Sequence, residues 1–271
     1  MNPSRNTLPA RPLVQKLLLR FQKAGLLRFL SHHDLMSVFA RALRRAGLPI
    51  RQTAGFNPQM RLSFPAPLEV GVAALADPVE LELTEWLTPA ETVARLNATL
   101  SEGLRILDAR LSAPVRAGAM AAWSRYRWAG AFDAGVTAEG VARFQACPAF
   151  AVPRVLPPKR GGKELRRKRV ELKRSLAAIT IAPAGVEWIV RHGEFAVPRV
   201  AEMAAALRVC SQAGADAPEV REAEVVPVGD VLRIEVGLQP AVVNCLDADW
   251  WKQPVVEPSV EESSQPLEEA S

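Results

Sequence analysis

VQKLLLRFQKAGLLRFLSHHDLMSVFARALRRAGLPI, residues 14–50, holds both of the periodicities on which the fold turns. Val14 to Gln22 is a β-type run carrying basic residues at Lys16 and Arg20. Ala24-Gly25 marks a turn, and Leu26 to Leu30 then leads into Ser31. Ser31-His32-His33-Asp34 has the form of a capping box: the Ser31 hydroxyl can accept from the Asp34 amide while the carboxylate reaches back. The period then changes to that of a helix, from His32 to Ala46. Leu35, Phe39, Ala42, Leu43 and Ala46 fall on one face, and Ser37, Arg41, Arg44 and Arg45 on the other. Gly47 ends the helix at the position that needs a positive φ.

Outward from this stretch, Leu48 to Thr53 reads as a strand, Ala54 to Gln59 as a turn, and Arg61 to Phe64 as a short strand. Val79 to Thr84 alternates as a half-buried strand whose Glu80 and Glu82 share one face, which suggests solvent. Thr88-Pro89-Ala90-Glu91 opens a helix to about Leu100, and Leu104 to Leu111 closes the set as a strand. This order is the ferredoxin-like one. The remainder reads as a degraded repeat of it: a strand at Ser124–Trp128, a helix at Ala138–Gln145, a strand at Phe150–Val155 and a basic loop at 157–174. A hairpin follows at Ala177–Ile181 and Val186–Arg191, then a helix at Val200–Val209 and strands at Arg221–Val226 and Leu232–Val236. The expected fold is therefore α+β: two ferredoxin-like (split βαβ) modules at 13–115 and 122–240, the second degraded. A flexible leader, 1–12, precedes them, and a Pro/Glu/Ser-rich disordered acidic tail, 247–271, follows.

Composition narrows the class. With 49% hydrophobic and 23% charged residues the chain can fold throughout its body. Apolar runs are broken within about ten residues and no secretory signal core is present, so a cytoplasmic protein with no membrane partner is expected. The three cysteines, Cys147, Cys210 and Cys245, are far apart in sequence and form no CxxC pair. They read as reduced bystander thiols, with no metal or other cofactor expected. Nucleotide-loop, nucleophile-elbow and zinc-protease motifs are all missing. The net charge of +5 conceals segregation: about +10 over residues 1–68, about +7 over 159–174 and about −6 over 247–271. Charge divided in this way points to a polyanionic partner.

Three places could meet such a partner. The first is Arg28 with His32, His33, Arg41, Arg44 and Arg45 along the first helix, where free N–H groups at a helix start favour phosphate. The bland alternative is that Ser31 and Asp34 only cap the helix while the histidines fill its first turn. The second is the Gly55-Phe56-Asn57-Pro58 turn with Arg61, where Phe56 either stacks on a base or folds into the core. The third is the run Lys159, Arg160, Lys163, Arg166, Arg167, Lys168 and Arg169, whose charge density and two glycines suit a polyanion contact. Trp123, Arg125 and Arg127 share a strand face opposite Tyr126 and Trp128, whose face reads as core.

Leu26 to Met36, Ala42 to Pro49, Gly55 to Pro58, Leu62 to Phe64 and Leu68 to Val72 together resemble the radical-SAM-linked proteins. Their domain of unknown function occurs alone or fused behind a radical-SAM domain. The resemblance is specific over about residues 14–110 and looser to about 240. Members of that family usually carry Gly-Phe-His-Pro where this chain has Asn57, so any proton or metal chemistry at that histidine is lost here. The resemblance implies an accessory role beside a separately encoded radical-SAM partner. The leading expectation is a non-catalytic RNA-binding protein acting in tRNA or rRNA modification. One alternative is a metal-independent RNA endonuclease with His33 as acid/base and Arg28 and Arg44 stabilising charge at phosphorus. Another is a protein-only adaptor of the radical-SAM enzyme.

Overall fold

Strand β1 (Gln15–Lys23) is the centre of the first half of the molecule. Its alternation sends Leu17, Leu19 and Phe21 to a face that two helices cover, α1 (His32–Arg45) and α2 (Pro89–Asn97). Leu35, Phe39 and Leu43 of α1 and Leu96 of α2 complete this first core. β1 runs antiparallel to β3 (Ala73–Leu83) on one side and to β4 (Leu104–Leu111) on the other. The short β2 (Leu62–Ser63) pairs antiparallel with β3, giving the order β4-β1-β3-β2. The chain is described from a computed structural model over residues 12–112, 120–158, 162, 164–212 and 231–239.

The second half has the same strand order. It comprises β5 (Ala121–Trp128), α3 (Ala138–Ala146), β6 (Ala151–Leu156), β7 (Arg166–Glu171), β8 (Leu176–Ala182), β9 (Gly185–Arg191), α4 (Val200–Gln212) and β10 (Val231–Leu238). Sheet order is β10-β5-β9-β8, antiparallel throughout. β6 and β7 stand apart as a two-stranded ribbon inserted between α3 and β8. Tyr126, Trp128 and Trp188 from the sheet pack with Phe144 of α3 and Met203 and Leu207 of α4 in a second core. Gly140 allows the two helices to touch, since a Cβ there would come within 2.6 Å of the Ser211 Cα.

The halves form one eight-stranded mixed sheet, joined where β10 runs parallel to β3 through Leu232↔Ala73 and Arg233↔Ala74. The register carries a single face across that seam: Phe21 opposes Asp77, Lys23 opposes Ala74, Ala74 opposes Arg233, and Arg233 opposes Tyr126. All four described α-helices therefore lie on one side. Pro78, a residue without an N–H, falls between the part of β3 that pairs with β10 and the part that pairs with β2, where no partner strand asks for a donor.

Three expectations need correction. The strand expected at 48–53 reduces to two isolated bridges, Ile50↔Leu83 and Gln52↔Met60. Pro49 has no donor, and the Ile50 N–H turns onto the Leu48 carbonyl at 2.8 Å. The basic loop at 157–174 is strand β7 over Arg166–Glu171 and a 3-10 turn over Leu172–Arg174. Its cause is apolar: Val170 and Leu172 are buried in the second core, and Val170 sits opposite Val152. Glu80 does not face solvent. It is 3% exposed, accepting from Ser112 Oγ at 2.5 Å and lying 3.4 Å from Lys16 Nζ, so Lys16 of β1 and Ser112 just after β4 lie against it. Residues 1–11, the strand expected at 221–226 and the acidic tail lie outside the described residues.

Candidate nucleic-acid interface

The start of α1 is built as its sequence suggests. Ser31 Oγ accepts from the Asp34 amide at 3.2 Å and donates to the Asp34 carboxylate at 2.6 Å. His32 turns inward, its ring edge-on to Phe64 at 5.3 Å, and Phe64 in turn contacts Phe21 and Phe39. Burial, and then the neighbouring His33, lowers the His32 pKa, and its Nδ1 is buried without a hydrogen-bond partner. His33 is exposed. The Arg28 carbonyl accepts from the Gly71 amide at 2.8 Å and from Lys23 Nζ at 3.2 Å, while its guanidinium lies 4.9 Å from the Phe29 ring centre. Segments around residues 28, 32, 64 and 71 thus converge at one end of α1, held by aromatic packing and backbone bonds.

Along the rest of α1 the expected cations diverge in fate. Arg41 and Arg44 are exposed, whereas Arg45 donates to the Thr99 carbonyl at 2.6 Å and ties α1 to the end of α2. His33 and Arg44 are eleven positions apart, roughly 16 Å along a helix axis, so one phosphorus atom cannot meet both. The trio His33, Arg28 and Arg44 is therefore not assembled as a single centre. In the neighbouring turn Phe56 is 84% exposed, and Asn57 and Arg61 are exposed beside it. The turn is closed at its root by the Gln59 amide donating to Thr53 Oγ1 at 2.9 Å. Phe56 takes the loop-tip position, and not the core.

The ribbon presents a second surface. Arg166, Arg167, Lys168 and Arg169 are all exposed, although alternation sends them to opposite faces of β7. Both faces of the ribbon are therefore lined with cations at its outer end. Its root is fixed: Val152 and Val170 are buried, and Arg154 Nε donates to Glu202 of α4 at 2.6 Å. Lys159, Arg160 and Lys163 lie outside the described residues. Trp123, Arg125 and Arg127 do share the face opposite Tyr126 and Trp128, but Arg127 is bound to Glu187 at 2.8 Å.

A family model described as "Uncharacterized protein conserved in bacteria (DUF2344)" matches residues 16–206. The chain belongs to this family. The matched span begins at the second residue of β1, takes in the rest of the first half, the ribbon and just over half of α4, and ends before β10. No curated protein matches the chain. Among the described residues no group of three or more His, Cys, Asp or Glu side chains could hold a metal ion. No described helix is long and apolar enough to cross a membrane.

Inside the seam lies a set of charges that reading the sequence missed. Arg233, fully buried, donates through Nε to Asp77 at 2.9 Å, makes a second bond to the same carboxylate through Nη2, and also donates to the carbonyls of Ala66 and Pro67. Burial opposes the Arg233 charge, but Asp77 holds its pKa above the ordinary value. Lys23 is also fully buried, and burial pulls its pKa down to about 8 against the pull of Asp77. Glu69 accepts from the Val200 amide at the start of α4 at 3.1 Å, and burial raises its pKa. A signal existed in the sequence: Arg233 shares strand parity with Val231, a core position.

Proposed function

We propose that the protein is a non-catalytic, cytoplasmic RNA-binding accessory protein that works beside a separately encoded radical-SAM enzyme on tRNA or rRNA. One observation carries the RNA reading: four consecutive exposed cations on both faces of a ribbon whose root is anchored in a core. A ribbon of that kind can lie along a phosphate backbone and release counterions at little ordering cost. The exposed Phe56 tip beside Arg61 adds a ring on which an unpaired base can stack. The radical-SAM link rests on the sequence resemblance. Reading each half as a ferredoxin-like module rests on the repeated order 4-1-3-2 of its strands.

The test is salt-dependent binding to tRNA and rRNA fragments. Roughly micromolar affinity is expected at about 50–100 mM salt. Replacing Arg166, Arg167, Lys168 and Arg169 with Gln is expected to flatten the log K against log salt slope by about 3. No salt-sensitive binding by the wild-type protein would refute the RNA reading. A complex with the radical-SAM partner that survives nuclease, with no RNA binding, would support the protein-only adaptor instead.

A further inference from the structure

Downstream of the ribbon, residues 174–175 and 191–195 enclose a cavity of about 180 Å³. It is smaller than the ~300 Å³ and above typical of sites for drug-sized ligands, and suits a single small group. Arg191 extends from the end of β9, where its amide donates to Ser175 O at 2.7 Å and Nη2 reaches Leu176 O at 3.4 Å. Arg174, at the end of the 3-10 turn after β7, holds its guanidinium 5.4 Å from the Phe195 ring centre. Both arginines are exposed, and neither is ion-paired among the described residues. His192 closes the wall, its Nε2 2.7 Å from Ser124 Oγ. Burial and the Arg233 charge push the His192 pKa down to about 4, so near pH 7 the cationic charge of the wall comes from arginine alone. Phe195 is 41% exposed. Glu194 is the carboxylate in the lining.

We propose that this cavity binds a phosphate group of a ribonucleotide, with Arg174 and Arg191 as its cationic clamp and Phe195 as the surface for the adjoining base. The proposal rests on the RNA reading and assigns it a subsite. Guanidinium groups match phosphate oxygens in geometry and stay charged at every relevant pH. The neutral imidazole adds a polar wall without a third cation. Glu194 opposes the anion and sets its affinity low, as befits one contact among many along a strand. Chain position agrees with this ligand: Arg174 lies five residues beyond Arg169, at the end of the 3-10 turn that follows β7.

The probes are adenosine 5′-monophosphate and inorganic phosphate, titrated into the full chain and followed by NMR. RNA of one sequence, carrying a 5′-phosphate or a 5′-hydroxyl, is titrated in parallel. Arg174→Gln with Arg191→Gln is expected to weaken adenosine monophosphate binding at least tenfold. Glu194→Gln is expected to strengthen it severalfold, a change that impaired folding would not produce. Loss against both RNAs assigns the subsite to internal phosphates. Loss against the 5′-phosphorylated RNA alone assigns it to the strand end. Wild-type-like mononucleotide binding by the double arginine variant, or none by the wild type at millimolar concentration, overturns the proposal. RNA binding that persists in either case leaves the RNA reading intact. The β7 quadruple variant separates the two in the other direction, losing RNA while retaining the mononucleotide.

Discussion

Lys23 shows how one buried charge sets a pH dependence. The folded chain releases its proton near pH 8, whereas an ordinary lysine holds it to 10.5. Below 8 both states are protonated, and folding carries the full cost of burying an ammonium group. Between 8 and 10.5 the unfolded chain binds more protons than the folded one, so stability rises with pH. Lys23→Met is expected to raise stability at pH 7 and to abolish that rise, as measured by urea unfolding across the window. His192 acts at the other end. Its folded pKa of about 4 lies below the ordinary 6.5, so stability is lost as pH falls from 6.5 towards 4. His192→Gln is expected to flatten the loss, and an unchanged acid limb would show that other groups carry it. Residues whose role is local were legible in the sequence, as the Ser31 cap was. Glu80 was not, because period-2 alternation reveals which residues share a face and nothing about what covers that face.

Elements followed local pattern closely wherever caps and turns bound them. Ser31 and Thr88 each accept from the amide three residues on, at the starts of α1 and α2. Ser31→Ala is expected to cost about 1 kcal/mol in chemical unfolding. The α3–α4 contact depends on Gly140, and Gly140→Leu is expected to cost roughly 1–3 kcal/mol by forcing those helices apart. An unchanged Tm would mean that the helices can move without loss. β7 marks where pattern failed at this scale. Four cations in a row read as loop, yet Val170 and Leu172 fasten the end of the strand in a core assembled from α3, α4 and β9. Likewise, the β3 segment preceding Val79, AALADP, lacks β-branched residues and is a strand because β1 and β10 supply partners.

For the whole molecule the deciding feature is the seam. Among the described residues two pairs join β3 to β10, and Arg233 adds hydrogen bonds to Asp77 and to the carbonyls of Ala66 and Pro67. Arg233→Ala is expected to cost about 3–5 kcal/mol, because it strands the buried Asp77 carboxylate. Arg233→Met with Asp77→Leu is expected to cost less, since neither of those two charges then remains buried and only the pull of Asp77 on Lys23 is lost. Equal losses for the two variants in chemical unfolding would refute this account of the seam. The sequence by itself determined the α+β alternation, the caps, the faces of α1 and β5, and the segregation of charge, because each depends on residues within a few positions of one another. Only the tertiary structure decided that the halves share one sheet, that Glu80 is buried, that β7 is a strand, and that Arg233 meets Asp77 across 156 positions. Those outcomes depend on which surfaces pack together, and no local periodicity encodes that choice.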